Sequence, residues 1–290
     1  MDHFRILDYR FEEVIREFLD NKFEEDDLTT NFSNRILRED VMALLEAEKH
    51  CKVVYYPLPD KNNGFHIMDV PLSNGEKYHF VFINTSQTME KQNFTAAHEL
   101  GHIWNIDEYV LEKTQTEPSS EMRETIINRF AAILLMPEEI FRNVVRDLLA
   151  EMKIEDGSST VADVLKIVAF LMNHFFAPPK AVILRLCELE CISVEAAKIL
   201  LGREALSQDV IDDFIRKVIR DNGYTRLEKT VEKKWIEGLG DLLETVEENN
   251  LVSQQKIAQM REIFDLKKMP TSLSGVEKIA LTMQEGNGSE

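Results

Sequence analysis

The stretch FTAAHELGHIW, residues 94–104, holds His98, Glu99 and His102 in H-E-x-x-H spacing. Residues four apart share one face of a helix, so two imidazoles placed this way can close on one metal ion. Glu99 then stands beside the ion, where its carboxylate can take a proton from an attacking water. Ala96, Ala97 and Leu100 favour a helix, and Leu100 is expected to face the core. The bland alternative is chance recurrence of the pattern in a helix-rich chain. Against it, the chain has only seven histidines, two of which fall here, and the segment follows a strand-like run.

A catalytic zinc site needs a third protein ligand and an open position for water. SSEMRETIINRFAAILLMP, residues 119–137, offers two candidates, Glu124 and Glu121. Glu124 comes 22 residues after His102, room enough for a loop and an antiparallel return. Asn128, one turn beyond Glu124, shares its face and can hold a ligand histidine by its distal N–H. Glu121 lies one turn earlier, nearer the loop, and an ordinary solvated position is the alternative for either residue. Phe130, Ala131, Ile133 and Leu134 are expected to form the buried side. The small Ala131 and Ala132 would permit close approach to the first helix.

Working outward, CKVVYY (51–56), Phe65–Val70 and Tyr78–Ile83 read as strands, with an Asn-Gly turn signal at Asn74–Gly75 between the last two. Residues 8–20 carry Phe11, Val14, Ile15 and Phe18 on one helical face, and Ser33 or Asn34 can cap a second helix running to about His50. Beyond residue 88 the periodicity is helical: 88–104, 121–135, 138–149, 160–172, 179–189, 193–201, 207–221, 225–248 and 253–267. The fold class is α+β, a small antiparallel or mixed sheet beside the motif helix and its return helix, followed by a mainly helical region. A polar loop at Glu155–Thr160 divides residues 1–155, the domain of the motif, from 156–290, part of which resembles a helix-turn-helix.

The formal charge of -18 makes the surface repel phosphate backbones, so direct nucleic-acid binding is not expected. Three cysteines, Cys51, Cys187 and Cys191, are too few and odd in number for a disulfide framework. With apolar stretches near ten residues and no secretory signal, a cytoplasmic protein is expected.

The combined motifs resemble the ImmA/IrrE metallopeptidases. The family pattern is an asparagine ending a strand, then FTxAHELGH, then ExEANxFAxxLLMP. Its counterparts here are FVFIN (80–84), FTAAHELGH (94–102) and ETIINRFAAILLMP (124–137). HFFAPPKAVILRLCELECIS (174–193) is similar to a later family region containing Arg-Leu. The resemblance covers about residues 35–200. It implies a single zinc ion per chain, with manganese the alternative, on His98, His102 and Glu124, with Glu99 catalytic. Ile126 and Ile127 depart from the family's Glu-Ala, and Ala177-Pro178-Pro179 replaces its Val-Ser.

Members of this family are similar to proteins that cleave helix-turn-helix repressors, so the resemblance implies a regulatory endopeptidase acting on a protein substrate. Its rivals are a non-catalytic, metal-containing module that binds a repressor or other protein, and a toxin-like protease with another target. Intact Glu99 speaks against the module, since a base is not needed to hold metal. His79, Tyr109 and His174 are the candidates for the substrate or oxyanion side, and the strand ending at Asn84 is a candidate edge for pairing with an extended peptide.

Overall fold

The strand-like runs pair into a mixed sheet in the computed structural model, which describes residues 9–25, 35–59, 62–71, 75–154, 159–203, 206–227, 230 and 233–266. The chain divides into two units, Met1–Lys233 and Lys234–Glu290. In the first unit β1 (Cys51–Tyr56), β2 (Gly64–Pro71) and β3 (Lys77–Asn84) lie in the order β2-β3-β1. β1 runs parallel to β3, with Val53 opposite Val81. β2 runs antiparallel to it, with Phe65 opposite Phe82. The strand ending at Asn84 is therefore bonded on both sides, and β2 is the edge of this three-stranded part. The Asn-Gly turn is half visible: Gly75 has φ +86, a left-handed conformation that suits glycine, and Asn74 lies outside the described residues.

The N-terminal helix α1 (Tyr9–Glu25) buries Phe11, Ile15, Leu19 and Phe23 at helical spacing. The next helix is shorter than its periodicity implied. α2 spans Asp40–Ala47, Arg38 ahead of it has φ +47, and the expected caps Ser33 and Asn34 lie outside the described residues.

α3 (Met89–Ile103) carries the H-E-x-x-H motif. It ends because Asn105 turns left-handed at φ 51, and the chain restarts as α4 (Ile106–Thr114), a helix absent from the expected series, which passes from 88–104 to 121–135. α5 (Ser120–Leu135) returns across α3, and α6 (Glu138–Glu151), α7 (Val161–Phe175), α8 (Pro179–Glu188), α9 (Val194–Leu200) and α10 (Gln208–Asp221) follow. The division expected near residue 155 falls inside the first unit, partly on residues outside the description.

No single helix among the described residues is long and apolar enough to cross a membrane. α7 and α8 together reach that length, but they are bent by 108°. Leu165, Val168, Leu171 and Phe175 of α7 are buried within the first unit.

The single helix expected over 225–248 does not form. Thr225–Leu227 is a 3-10 turn of the first unit. In the second unit β4 (Trp235–Ile236) precedes Gly238, left-handed at φ +69, and only then does α11 (Leu239–Glu248) begin. Gly238 and Gly240 make a continuous helix costly here, by roughly 1 kcal/mol each relative to alanine. α12 (Gln254–Ile263) follows, tied to α11 by Arg261 and Glu247 at 3.0 Å.

Inside the first unit lies a buried ionic cluster. Glu12 of α1 meets Arg129 of α5 at 2.8 Å and Arg185 of α8 at 2.9 Å, and Arg129 also pairs with Glu188. Arg185 is fully buried, and its Nε donates to the carbonyl of Met136 at 3.2 Å. The Arg-Leu of residues 185–186 is thus tied to the LLMP end of α5.

Candidate metal centre

α3 and α5 pack closely because Gly101 has no side chain. A methyl group there would stand 2.9 Å from Phe130 Cδ1 and 3.2 Å from Ile127 Cδ1. Ile126 and Ile127, the departures from the family pattern, are fully buried, so both are packing residues. Ser119 sets the register of α5 by accepting the Met122 N–H at 3.1 Å, an N-cap. At its far end α3 is held by Trp104. Its Nε1 donates to Glu48 Oε1 at 2.6 Å, and its ring meets Phe130 edge-on at 5.8 Å.

This packing brings together three ligating groups. The Nε2 atoms of His98 and His102 are 3.1 Å apart. Glu124 Oε2 lies 3.5 Å from His98 Nε2, and Glu124 Oε1 lies 3.7 Å from His102 Nε2. Four-coordinate metal–ligand bonds of ~2.0–2.1 Å put donor atoms about 3.3 Å apart, close to what is seen. Among the described residues these three form the one group able to hold a metal ion. Two imidazole lone pairs facing each other at this distance repel unless a proton or a cation lies between them. The donor set therefore fits a metal ion.

Asn128 decides which nitrogen of His98 is available. Its Nδ2 donates to the carbonyl of Glu124 at 2.7 Å, which turns Oδ1 toward His98 Nδ1 at 3.2 Å. His98 Nδ1 then carries the hydrogen and Nε2 the lone pair. Burial holds the His98 ring below its ordinary pKa, against the pull of Glu99 and Glu124 and together with the push of His102. A neutral imidazole is the ligating form. Glu124 is the open side of the cluster, with its side chain 56% exposed, whereas the two histidine side chains are mostly covered. Glu121, the other carboxylate candidate, is exposed in the first turn of α5 and makes no bond to either histidine among the described residues.

Glu99 is buried, and beside it stands a residue the sequence reading missed. His66 of β2 places Nδ1 at 3.4 Å from Glu99 Oε2, and both side chains are over 90% buried. His79 of β3 follows, its Nδ1 3.0 Å from His66 Nε2. Expected on the substrate or oxyanion side, His79 meets Glu99 only through His66. Burial, and then the neighbouring His66, hold its pKa below the ordinary value. Tyr109 and His174 make no contact with the cluster among the described residues. Tyr109, displaced onto α4 by the break at Asn105, packs against Phe18 at 5.1 Å. His174 lies against Phe170 and Phe175. His66 was hidden because strand pairing is non-local. The available signal was the alternation that puts Gly64 and His66 on one face of β2.

Asn84 proves to be a loop organiser. Its buried Oδ1 accepts from the N–H groups of Leu58 and Ser86 at 2.8 and 2.9 Å, and its Nδ2 donates to the carbonyl of Asn62. The asparagine that ends β3 thus pins the loop after β1 to the turn leading into α3.

Residues 47–186 match the model of a peptidase family described as the IrrE N-terminal-like domain. No curated protein matches the chain. A solved structure of a Mycobacterium tuberculosis transcriptional regulator is similar at 16% identity, over 61% of this chain and 51% of that one, with a TM-score of 0.38. The chain spans about half the length of that structure.

Proposed function

Because residues 47–186 are an IrrE N-terminal-like domain, of the ImmA/IrrE metallopeptidase family, we propose that this chain is a zinc-dependent endopeptidase that cleaves a specific regulatory protein. The observation that carries the reading is the convergence of His98, His102 and Glu124 to donor spacings of 3.1 to 3.7 Å with Glu99 buried on the same helix. Zinc is the ion favoured by two imidazoles and one carboxylate, with manganese the alternative. When bound, such an ion activates water and polarises a scissile carbonyl.

The chain's own residues supply the rest. His98 and His102 present neutral nitrogens, and Asn128 fixes the tautomer of the first. Glu99 takes the proton of the attacking water and returns it to the leaving amine. Glu124 leaves its side of the site open to solvent, where an extended substrate can enter.

The substrate class is a helix-turn-helix repressor, following from the family, and the setting is the reducing cytoplasm, in keeping with three free cysteines. Direct nucleic-acid binding stays outside the reading because the chain carries a charge of -18. A non-catalytic module is the second reading. The buried Glu99 disfavours it, since an unused carboxylate in that position costs desolvation for no gain. The test is incubation of the zinc-loaded chain with candidate helix-turn-helix repressors, any encoded next to its gene first, followed by intact-mass analysis. One or a few defined cuts are expected. An uncut repressor at equimolar enzyme would set the substrate assignment aside.

A further inference from the structure

His66 is a buried histidine to which the peptidase mechanism assigns nothing. Its Nδ1 and the Oε2 of Glu99 are both fully enclosed, and neither has a hydrogen-bonding partner among the described residues. They face each other at 3.4 Å, longer than a well-formed hydrogen bond but within the range in which catalytic contacts tighten on binding. The placement is built into two elements. Gly64 crosses α3 so closely that a methyl group would stand 2.7 Å from Thr95 Cγ2 and would collide with the Phe82 carbonyl. Two residues along β2 advance about 6.8 Å, and four along α3 advance about 6.0 Å. Gly64 over Thr95 therefore carries His66 over Glu99.

We propose that His66 is a positioning residue for Glu99, an inference that rests on the reading of Glu99 as the base. His66 Nδ1–H donates to Glu99 Oε2, and His79 Nδ1–H donates to His66 Nε2 at 3.0 Å, which fixes the His66 tautomer. A carboxylate held by one oxygen cannot rotate freely, so the other oxygen is kept as the proton acceptor. An oxyanion role for His66 does not fit, because one ring nitrogen faces Glu99 and the other faces His79. The ring also stands off the metal ligands, its centroid 6.4 Å from that of His102.

Two variants and one spectrum test this. His66→Leu removes the donor at similar volume. His66→Asn restores an amide N–H near the place of Nδ1. With the repressor as substrate, His66→Leu should keep one zinc per chain and an unchanged KM, while kcat falls about 10- to 100-fold. His66→Asn should recover at least about a tenth of the wild-type kcat. A role confined to packing would instead lower zinc content or stability in both variants alike. Independently of activity, the histidine ring nitrogens of the zinc-loaded protein should show His66 as the Nδ1–H tautomer, with that proton moving in Glu99→Gln. Wild-type kcat in His66→Leu, or an Nε2–H tautomer at His66, would overturn the proposal and leave the peptidase reading intact. If the wild type leaves the repressor uncut, the substrate assignment fails, and the tautomer and its response to Glu99→Gln decide on His66 alone. Should His66→Leu fail to fold, His66→Asn and the spectrum decide.

Discussion

Glu124 and Glu121 differ by one helical turn, and the geometry of α5 separates them. Glu124 and Asn128 both reach His98, one at each ring nitrogen, whereas Glu121 stays in the exposed first turn. Glu124→Ala should therefore weaken metal binding by more than about 100-fold, beyond the 10- to 100-fold typical for a group that only supports a ligand. Glu121→Ala should bind as the wild type. Metal titration monitored by competition with a chromogenic chelator checks both, and a larger loss in Glu121→Ala would mean that the register of α5 is wrong. The three motif residues were legible because helical spacing alone puts His98 and His102 on one face. His66 was not, since its meeting with Glu99 depends on where β2 crosses α3. Tyr109 lies away from the cluster for a local reason: Asn105 adopts the left-handed conformation and ends α3, and Tyr109 on α4 packs against Phe18.

Among the elements, the α3–α5 contact positions the ligands, and Gly101 is its closest point. Ala131 and Ala132 were the small residues expected to allow the approach, yet the missing side chain that matters most lies on the other helix. Gly101→Val would drive atoms into Phe130 and Ile127 and push α5 outward. The expected cost is about 1–3 kcal/mol of stability, as for overpacked cores. Metal affinity should fall with it, because Glu124 moves with α5. Urea unfolding of the metal-free protein measures the first effect and metal titration the second; an unchanged affinity would mean that the helices separate without moving the carboxylate. Strand and helix positions in this region were readable from period and turn signals. The helix expected over 225–248 is broken because Gly238 and Gly240 outweigh the helical period of the apolar residues around them. The strand ending at Asn84 is paired on both sides and not an edge, a difference from expectation that arises because pairing partners are not encoded locally.

At the scale of the whole first unit, the Glu12–Arg129–Arg185–Glu188 cluster joins α1, α5 and α8. Burial, and then the neighbouring Arg185, push Arg129 down to about 10, with Glu12 opposing, so it stays charged at neutral pH. Removing one partner leaves an uncompensated buried charge, which costs about 3–5 kcal/mol. Arg185→Ala should lose about that much in urea unfolding, and Arg216→Ala, which breaks an exposed pair with Asp213, about 0–1 kcal/mol. Equal effects would show that the cluster is replaceable. The chain's overall charge also bears on partners. With -18 distributed over 290 residues, the full chain should show no salt-sensitive binding to labelled duplex DNA by fluorescence anisotropy at low salt. Tight binding that weakens with salt would overturn this expectation and give the chain a direct role on DNA.

In the proposed site His98 and His102 hold one metal ion beside Glu99, a base that is not itself a ligand. Elemental analysis and repressor cleavage, measured on the same preparations, test both roles at once. Wild type and Glu99→Gln should each contain one zinc per chain, with cleavage only in the wild type, because an amide cannot act as the base. His98→Ala and His102→Ala should contain no stoichiometric metal and cut nothing. Full zinc content in both histidine variants would remove the metal site, and undiminished cleavage by Glu99→Gln would remove Glu99 as the base.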